Sequence, residues 1–452
     1  MTQPHRLTVV GAGYVGLATA IGLASRGHRI ELVETRADRL LALQDGSLPI
    51  HEVGMDAAFA DPAVRARILP VGVLTDPHPD LLLVCVGTPV GENGRSDLRQ
   101  LESALTACRP LARSGVPIVI RSTLPAGSSE QIVQWSGGDR SKIFSNPEFL
   151  RQGTAFEDFL SPTRVVIGTF PAPDPEALAL VKDTLAGDDA PLLVVTVAEA
   201  DLIKNGANAF LALKLSFANE LAMLCEELDA DVLRVIDGIG LDPRIGRNYM
   251  EPSFGFGGSC LPKDLRSLTN VGRDLGVEMH VTSAASEANE ASMRSFARRI
   301  LRALPTGCDR VAILGLAFKA GTDDVRSSPA LRVAELLIGR GISVTAYDPF
   351  AAQNAVAELP RLHVVPSAEE AVENAGVVVI ATEWPEFREL DWAALGKRMC
   401  VRTVIDGRRL LDPAGMAALG FRYEAVGAPL PADARSNRNG GGGSHHHDAS
   451  DR

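Results

Sequence analysis

No stretch of this chain reaches the ~18 consecutive apolar residues that a membrane-spanning helix needs, and no charged-then-apolar leader precedes the first expected strand. A soluble, cytoplasmic protein without a membrane partner is therefore expected. Cysteine is sparse and scattered: Cys85, Cys108, Cys225, Cys260, Cys308 and Cys400 form no CxxC pair and no His/Cys cluster at metal spacing. Neither a disulfide framework nor a metal site follows from that pattern. An excess of positive charge is missing too. The formal net charge of −11 argues against polyanion binding by the whole surface and so against nucleic acid as a partner. A small phosphorylated ligand stays open, because a local patch of Arg, Lys and backbone N–H is enough to hold one.

What is present is apolar material in quantity. At 452 residues and 46% hydrophobic content, the chain can fill two or three domain cores. Arg6 to Val10 reads as a strand, Gly11-Ala12-Gly13-Tyr14-Val15-Gly16 as a glycine turn, Leu17 to Ser25 as a helix, and Arg29 to Glu34 as a second strand. A GxGxxG alone is a weak signal. Strand, turn and helix in this order, with an acid 18 residues beyond Gly16, fit the dinucleotide fingerprint. Glu34 would take the ribose hydroxyls and favours NAD, while Arg36 and Arg39 keep NADP open.

Further strands are expected at Leu81 to Val86, Val116 to Arg121, Lys142 to Ser145 and Arg164 to Gly168. Gly87-Thr88-Pro89, Ser122-Thr123-Leu124-Pro125 and Asn146-Pro147-Glu148 each follow the C-terminal end of a strand. In an open parallel sheet those ends share one edge, outside which ligands bind. Singly, Thr-Pro and Asn-Pro are ordinary loop starters; together they place Thr88, Thr123 and Glu148 around the cofactor.

A proline-free helical pattern runs from Ala198 to about Ala230, with Lys204 and Asn208 four apart on one face. An exposed Lys/Asn pair is the plain reading; facing a crevice, the two would hold an alkoxide or a hydrated aldehyde. Arg244, Arg247, Asn248 and Tyr249 then lead into Gly255-Phe256-Gly257-Gly258-Ser259-Cys260-Leu261-Pro262-Lys263-Asp264. Pro262 suits a first helical turn, which puts Cys260 at or just before a helix N-terminus. The helix dipole and Lys263 would favour its thiolate, with Asp264 as base or water-orienting group. A small core cysteine beside a tight turn is the competing reading.

A second α/β pattern begins at Val311 to Leu314 and continues with Pro329 to Gly339, Ile342 to Tyr347 and Val377 to Ala381. Its first turn, Gly315 to Gly321, lacks the compact GxGxxG, so a nucleotide other than a dinucleotide is expected near Lys319. Val404-Ile405-Asp406-Gly407-Arg408 closes it. Beyond Pro431 the chain turns polar and ends in a Gly-Ser-His run that resembles a linker and tag remnant.

These motifs resemble the UDP-glucose/GDP-mannose dehydrogenase family over nearly the whole folded chain. The resemblance rests on Val86-Gly87-Thr88-Pro89, Ser122 to Pro125, Asn146 to Arg151, Lys204 with Asn208, the Phe256 to Asp264 run, and Phe318-Lys319 with Thr322 to Arg326. It implies an α/β fold: two Rossmann-like domains with mostly parallel sheets, joined by a long central helix and a helical dimerisation segment. The expected boundaries are 1–197 for NAD binding, 198–304 for the central segment, 305–430 for the sugar nucleotide and 431–452 for a tail. It also implies oxidation of a sugar-nucleotide C6 alcohol to the acid with NAD, by a homodimer or higher homo-oligomer.

By that resemblance Cys260 is the nucleophile, Lys204, Asn208 and Asp264 handle oxyanion and water, and Thr123 and Glu148 position water or shuttle protons. Gly11, Gly13, Tyr14, Val15, Gly16, Glu34, Arg39, Thr88, Thr123, Gln152, Lys263 and Arg326 fall on the cofactor side. Glu148, Phe149, Leu150, Arg151, Lys204, Asn208, Tyr249, Met250, Glu251, Pro252, Ser253, Gly257, Lys319 and Arg408 fall on the sugar-nucleotide side, where Gln152 also counts, and Arg244 reaches a partner subunit. The chain departs from the family in carrying Gln152 in place of an acid, Glu34 in place of Asp, and His51-Glu52-Val53 in place of Tyr-Glu-Pro. UDP-glucose is the first choice of substrate, with GDP-mannose and an N-acetylhexosamine nucleotide open. A two-electron dehydrogenase using Lys204 and Asn208, and a nucleotide-sugar binder without turnover, are the other readings. Histidine-dependent chemistry is disfavoured, because none of the nine histidines lies inside these motifs.

Overall fold

The computed structural model describes residues 3–50, 52–91, 94–187 and 190–429. His51 and the tail beyond Pro431 lie outside them. The chain divides into two compact units. One comprises residues up to Ala212 with Ser259–Ser286 and Gly321–Asp323; the other comprises Leu213–Gly258, Glu287–Ala320 and the chain from Asp324 on.

The first unit is built on β1 (Arg6–Val10), β2 (Arg29–Val33), β3 (Ile68–Val71), β4 (Leu81–Val84), β5 (Ile118–Ile120), β6 (Ile143–Ser145), β7 (Val165–Thr169) and β8 (Leu192–Thr196). Their order is β3-β2-β1-β4-β5-β6-β7-β8, parallel except where β7 runs antiparallel to β6. All four residues of β4 are buried, and so are the last four of β1. Such unbroken apolar strands are what a sheet covered on both faces requires, each buried Leu or Val contributing roughly 1.5–3 kcal/mol. The strand order reverses at β1, so the Gly11 turn and the Gly87 turn open on either side of a switch point.

The second unit holds β9 (Arg310–Leu314), β10 (Ser343–Tyr347), β11 (His363–Val364), β12 (Val377–Ile380), β13 (Thr403–Asp406) and β14 (Arg422–Ala425). All pairings are parallel, in the order β11-β10-β9-β12-β13-β14. This is again a doubly wound order with its reversal at the first strand. Asp348, just past β10, accepts from the backbone N–H groups of Leu316 (2.6 Å) and Ala317 (3.0 Å) and from the indole of Trp384 (3.1 Å), which fixes the turn after β9.

The helix Val197–Leu228 starts with a reciprocal cap: Thr196 N–H donates to Glu199 (2.8 Å), and Glu199 N–H donates to the Thr196 hydroxyl (3.2 Å). It ends where Asp229 takes a left-handed φ of 58° and Ala230 N–H returns to Cys225 O at 2.9 Å. Leu202, Phe210, Phe217, Leu224 and Leu228 remain exposed along it.

Candidate active site

The glycine turn packs as its sequence demands. Gly11 has φ +99°, and a Cβ on Gly16 would stand 1.7 Å from the Gly11 carbonyl oxygen, so neither position accepts a side chain. Beside Gly13, by contrast, a Cβ would meet nothing within 4 Å. Gly13 caps the helix Tyr14–Ser25 without a side-chain cap, and the first turn carries no acid. Free space beside a helix N-terminus with no carboxylate in its first turn suits a dinucleotide pyrophosphate. Glu34 is buried, one oxygen accepting from Ala12 N–H (3.2 Å) and the other from Arg36 N–H (2.8 Å). Each oxygen keeps a second acceptor direction for a ribose hydroxyl. Thr88 donates its hydroxyl to the Thr123 carbonyl at 2.9 Å, joining two of the strand-end loops. Arg39 is half-buried.

Within the same unit lies a polar cluster around Cys260, which caps the helix Leu261–Asp274 with Pro262 in its first turn. Lys204 Nζ stands 3.2 Å from Glu148 Oε1, both side chains almost fully buried, and Glu148 Oε2 accepts from Leu150 N–H at 2.7 Å. One turn further along its helix, Asn208 donates to Asp264 Oδ2 at 2.6 Å, and Lys263 Nζ sits 2.8 Å from Asp264 Oδ1. The structure thus brings Glu148, Lys204, Asn208, Lys263 and Asp264 together. Burial opposes the Lys204 charge, yet Glu148, then Cys260 and Asp264, raise its pKa, so the ammonium stays protonated.

The expectation that Cys260 favours its thiolate is corrected here. Cys260 is exposed as a residue, yet desolvation, reinforced by Glu148 and Asp264, raises the pKa of its thiol. Lys204 and the Ser259 hydroxyl pull the other way without reversing it. Lys263 does not serve as the expected counter-ion of the thiol, since its ammonium is committed to Asp264.

The loop leading to the cysteine belongs to the second unit up to Gly258. Two buried asparagines hold it, and the sequence reading passed over both. Asn219 accepts from Ser253 N–H at 2.7 Å; Asn289 accepts from Phe256 N–H at 2.9 Å and donates back to its carbonyl at 3.0 Å. For Asn219 a signal existed: it follows Asn208 by eleven residues, three helical turns on the same face. A Cβ on Gly257 would lie 2.2 Å from the Ser327 carbonyl, and Gly258 has φ +89° with the Phe318 ring against it. Arg408 donates to the carbonyls of Ala381 (2.9 Å) and Phe318 (3.0 Å), while Lys319 lies over the Phe318 ring. Gly258, Lys319 and Arg408 therefore gather around Phe318.

Tyr249 adopts φ 61°, and Met250, Pro252 and Ser253 are buried while Glu251 is exposed. Arg151 forks onto Asp158, Arg326 onto Asp324 and Arg244 onto Asp242, closest contacts 2.6 Å each. Arg244 stays exposed, and its described partner is its own neighbour. Phe149 lies under the Arg164 guanidinium at 3.7 Å and 5.4 Å from Lys204 Nζ. Gln152 is half-buried.

A doubly wound sheet with a dinucleotide-type glycine turn, coupled to a cluster of buried lysine, amide and carboxylate beside a cysteine, defines an NAD-dependent oxidoreductase. Family models agree segment by segment: the NAD binding domain of the UDP-glucose/GDP-mannose dehydrogenase family matches residues 5–183, its central domain 198–291 and its UDP binding domain 312–413. A UDP-glucose 6-dehydrogenase of Rickettsia typhi is 35% identical over 94% of this chain and 100% of its own length. A solved UDP-glucose dehydrogenase from Pyrobaculum islandicum is 35% identical with a TM-score of 0.82, covering 94% of this chain and 98% of that one. A UDP-D-ManNAc dehydrogenase from Pyrococcus horikoshii is 26% identical with a TM-score of 0.79, covering 93% and 99%. The chain belongs to the UDP-glucose/GDP-mannose dehydrogenase family, and it is a nucleotide-sugar dehydrogenase that uses NAD.

Proposed function

We propose that this enzyme oxidises the C6 alcohol of UDP-glucose to the acid of UDP-glucuronate in two two-electron steps, through a thiohemiacetal and a thioester on Cys260. The observation that carries this reading is the placement of Cys260 in the field of Lys204, Glu148 and Asp264, with Asn208 on Asp264. A simple two-electron dehydrogenase has no use for a cysteine there. NAD, when bound, supplies the hydride acceptor for both oxidations.

The residues divide the work. The C6 hydroxyl loses its proton through Glu148 and a water positioned by Thr123, while the Lys204 ammonium and Asn208 amide stabilise the alkoxide. The Cys260 sulfur then bonds to the aldehyde carbon. Because the thiol is held protonated, its proton passes by way of Lys204 to the new hemithioacetal oxygen. Loss of the second hydride leaves a thioester, and Asp264 orients the water that releases the acid and restores the thiol.

The glycine turn from Gly11 to Gly16, Glu34, Arg39, Thr88, Thr123, Gln152, Lys263 and Arg326 are assigned to NAD. Glu148 to Arg151, Tyr249 to Ser253, Gly257, Lys319 and Arg408 are assigned to the sugar nucleotide, within domains bounded at 197/198 and 304/305. The UDP binding domain match and the relatives' names support uridine over guanosine. The likeness to a UDP-D-ManNAc dehydrogenase keeps an N-acetylated sugar as a second reading. The enzyme is assigned to the cytoplasm as a homodimer or higher homo-oligomer, with Arg244 directed to the partner's site.

The test supplies limiting UDP-glucose with excess NAD and counts NADH formed. Two equivalents with UDP-glucuronate as product are expected. One equivalent with free aldehyde overturns the thioester cycle, and no reduction with UDP-glucose but turnover of an N-acetylated sugar selects the second reading. Gln152→Glu should speed release of the acid from the thioester, read as faster appearance of UDP-glucuronate in acid-quenched single turnovers with the NADH burst unchanged.

A further inference from the structure

Outside the cluster that holds Cys260, the second unit places two more cysteines together. Cys308 lies two residues before β9, Cys400 three before β13, and Asn374 three before β12. Strands β9, β12 and β13 are parallel neighbours, so these residues meet at the N-terminal edge of the sheet, opposite the edge where ligands bind in such folds. Both thiols approach one oxygen: Cys400 Sγ donates to the Asn374 carbonyl at 3.2 Å and Cys308 Sγ does so at 3.9 Å. The two side chains are also in hydrogen-bonding contact with each other. Asn374 presents that carbonyl from a left-handed φ of 57°, its N–H tied to Arg398 O at 2.9 Å, and Cys400 N–H is tied to Ala375 O at 2.9 Å. Cys308 packs so closely on Gly376 that a Cβ there would stand 2.8 Å from its sulfur. Cys400 is exposed and Cys308 half-exposed, whereas Cys85, Cys108 and Cys225 are buried.

We propose that Cys308 and Cys400 are a redox modification site, forming a reversible intrachain disulfide by exchange with a low-molecular-weight disulfide such as oxidised glutathione. One cysteine thiolate attacks a sulfur of the reagent, breaking its S–S bond and releasing one small thiol. The second cysteine then attacks the mixed disulfide at the protein sulfur and releases the other. The protein loses two electrons and two protons, and the reagent disulfide is reduced to two thiols. The hydrogen bond to Cys308 raises the Cys400 thiol, so the exchange accelerates as pH rises. The bridge closes a long loop across the β9, β12 and β13 edge, which restricts the unfolded chain more than the folded one.

The experiment treats the full chain with oxidised glutathione, quenches with acid, alkylates and maps peptides by mass. A cross-linked pair containing Cys308 and Cys400, two hydrogens lighter and restored by dithiothreitol, is expected, with a Tm higher by several degrees. Cys308→Ser and Cys400→Ser should each lose the cross-link and the Tm shift, and carry glutathione on the remaining cysteine. Recovery of both residues as separately alkylated thiols, or as two separate glutathione adducts, in the unsubstituted chain overturns the proposal.

Discussion

At the scale of single residues, the Cys260 environment has a measurable sign. Desolvation, Glu148 and Asp264 raise its thiol above the ordinary range, and Lys204 works against them. Alkylation of Cys260 by iodoacetamide should therefore be slow at neutral pH and still climb through pH 9. Lys204→Met, which deletes the cation that pulls the thiol down among the described residues, should slow it further by roughly tenfold at pH 8. A plateau below pH 8 in the unsubstituted enzyme would show a depressed thiol and sink this account. The sequence placed Cys260 at a helix N-terminus, where the structure has it. It could not give the sign of the shift, because the burial of the thiol and the approach of Glu148 from a distant segment, added to the nearby Asp264, are set by the tertiary structure. Lys263 illustrates the same limit: adjacent in sequence to Asp264, it pairs with that carboxylate instead of the thiol.

At the scale of elements, the helix Val197–Leu228 carries more than the Lys204/Asn208 pair. Asp201, one turn earlier, is buried and accepts from the Ser145 hydroxyl at 3.1 Å; burial pushes its carboxyl up to about 7. A carboxyl raised on folding contributes stability that is fully present below its unfolded pKa and is lost as pH rises through the folded value. Between about pH 4 and 7 the enzyme should thus lose on the order of 4 kcal/mol from this group. Asp201→Asn should melt higher than the parent at pH 8 and match it near pH 4, by calorimetry across pH. Parallel curves would show that Asp201 does not titrate in this window. Asp201 was not legible beforehand, since its hydrogen-bond partner Ser145 lies 56 residues away in sequence. Strands β3 and β11 were missed for local reasons: Pro70 breaks the apolar run of a half-exposed edge strand, and β11 is two residues long. β8 runs into the helix at Val197 with no turn signal between them.

At the scale of the whole molecule, Phe210, Phe217 and Leu224 recur every seven residues on the long helix and are 61%, 47% and 53% exposed. Such an exposed apolar stripe is what the proposed homodimer would cover. Phe217→Glu with Leu224→Glu should halve the mass seen by sedimentation velocity while leaving NAD binding intact. An unchanged mass would put subunit contact elsewhere or show a monomeric parent.

The sequence by itself determined the family, the glycine turn of the NAD-binding domain and the two α/β patterns, and it named the residues that cluster around Cys260, because glycine spacing, strand-end loops and the Phe256 to Asp264 run are local constraints on backbone geometry. Only the tertiary structure decided which cation faces Cys260, that Asn219 and Asn289 clamp its loop, that Asp201 is buried, and that Cys308 meets Cys400. Those facts depend on segments brought together by packing from tens of residues apart, where desolvation and through-space charge outweigh anything a neighbour in sequence can impose.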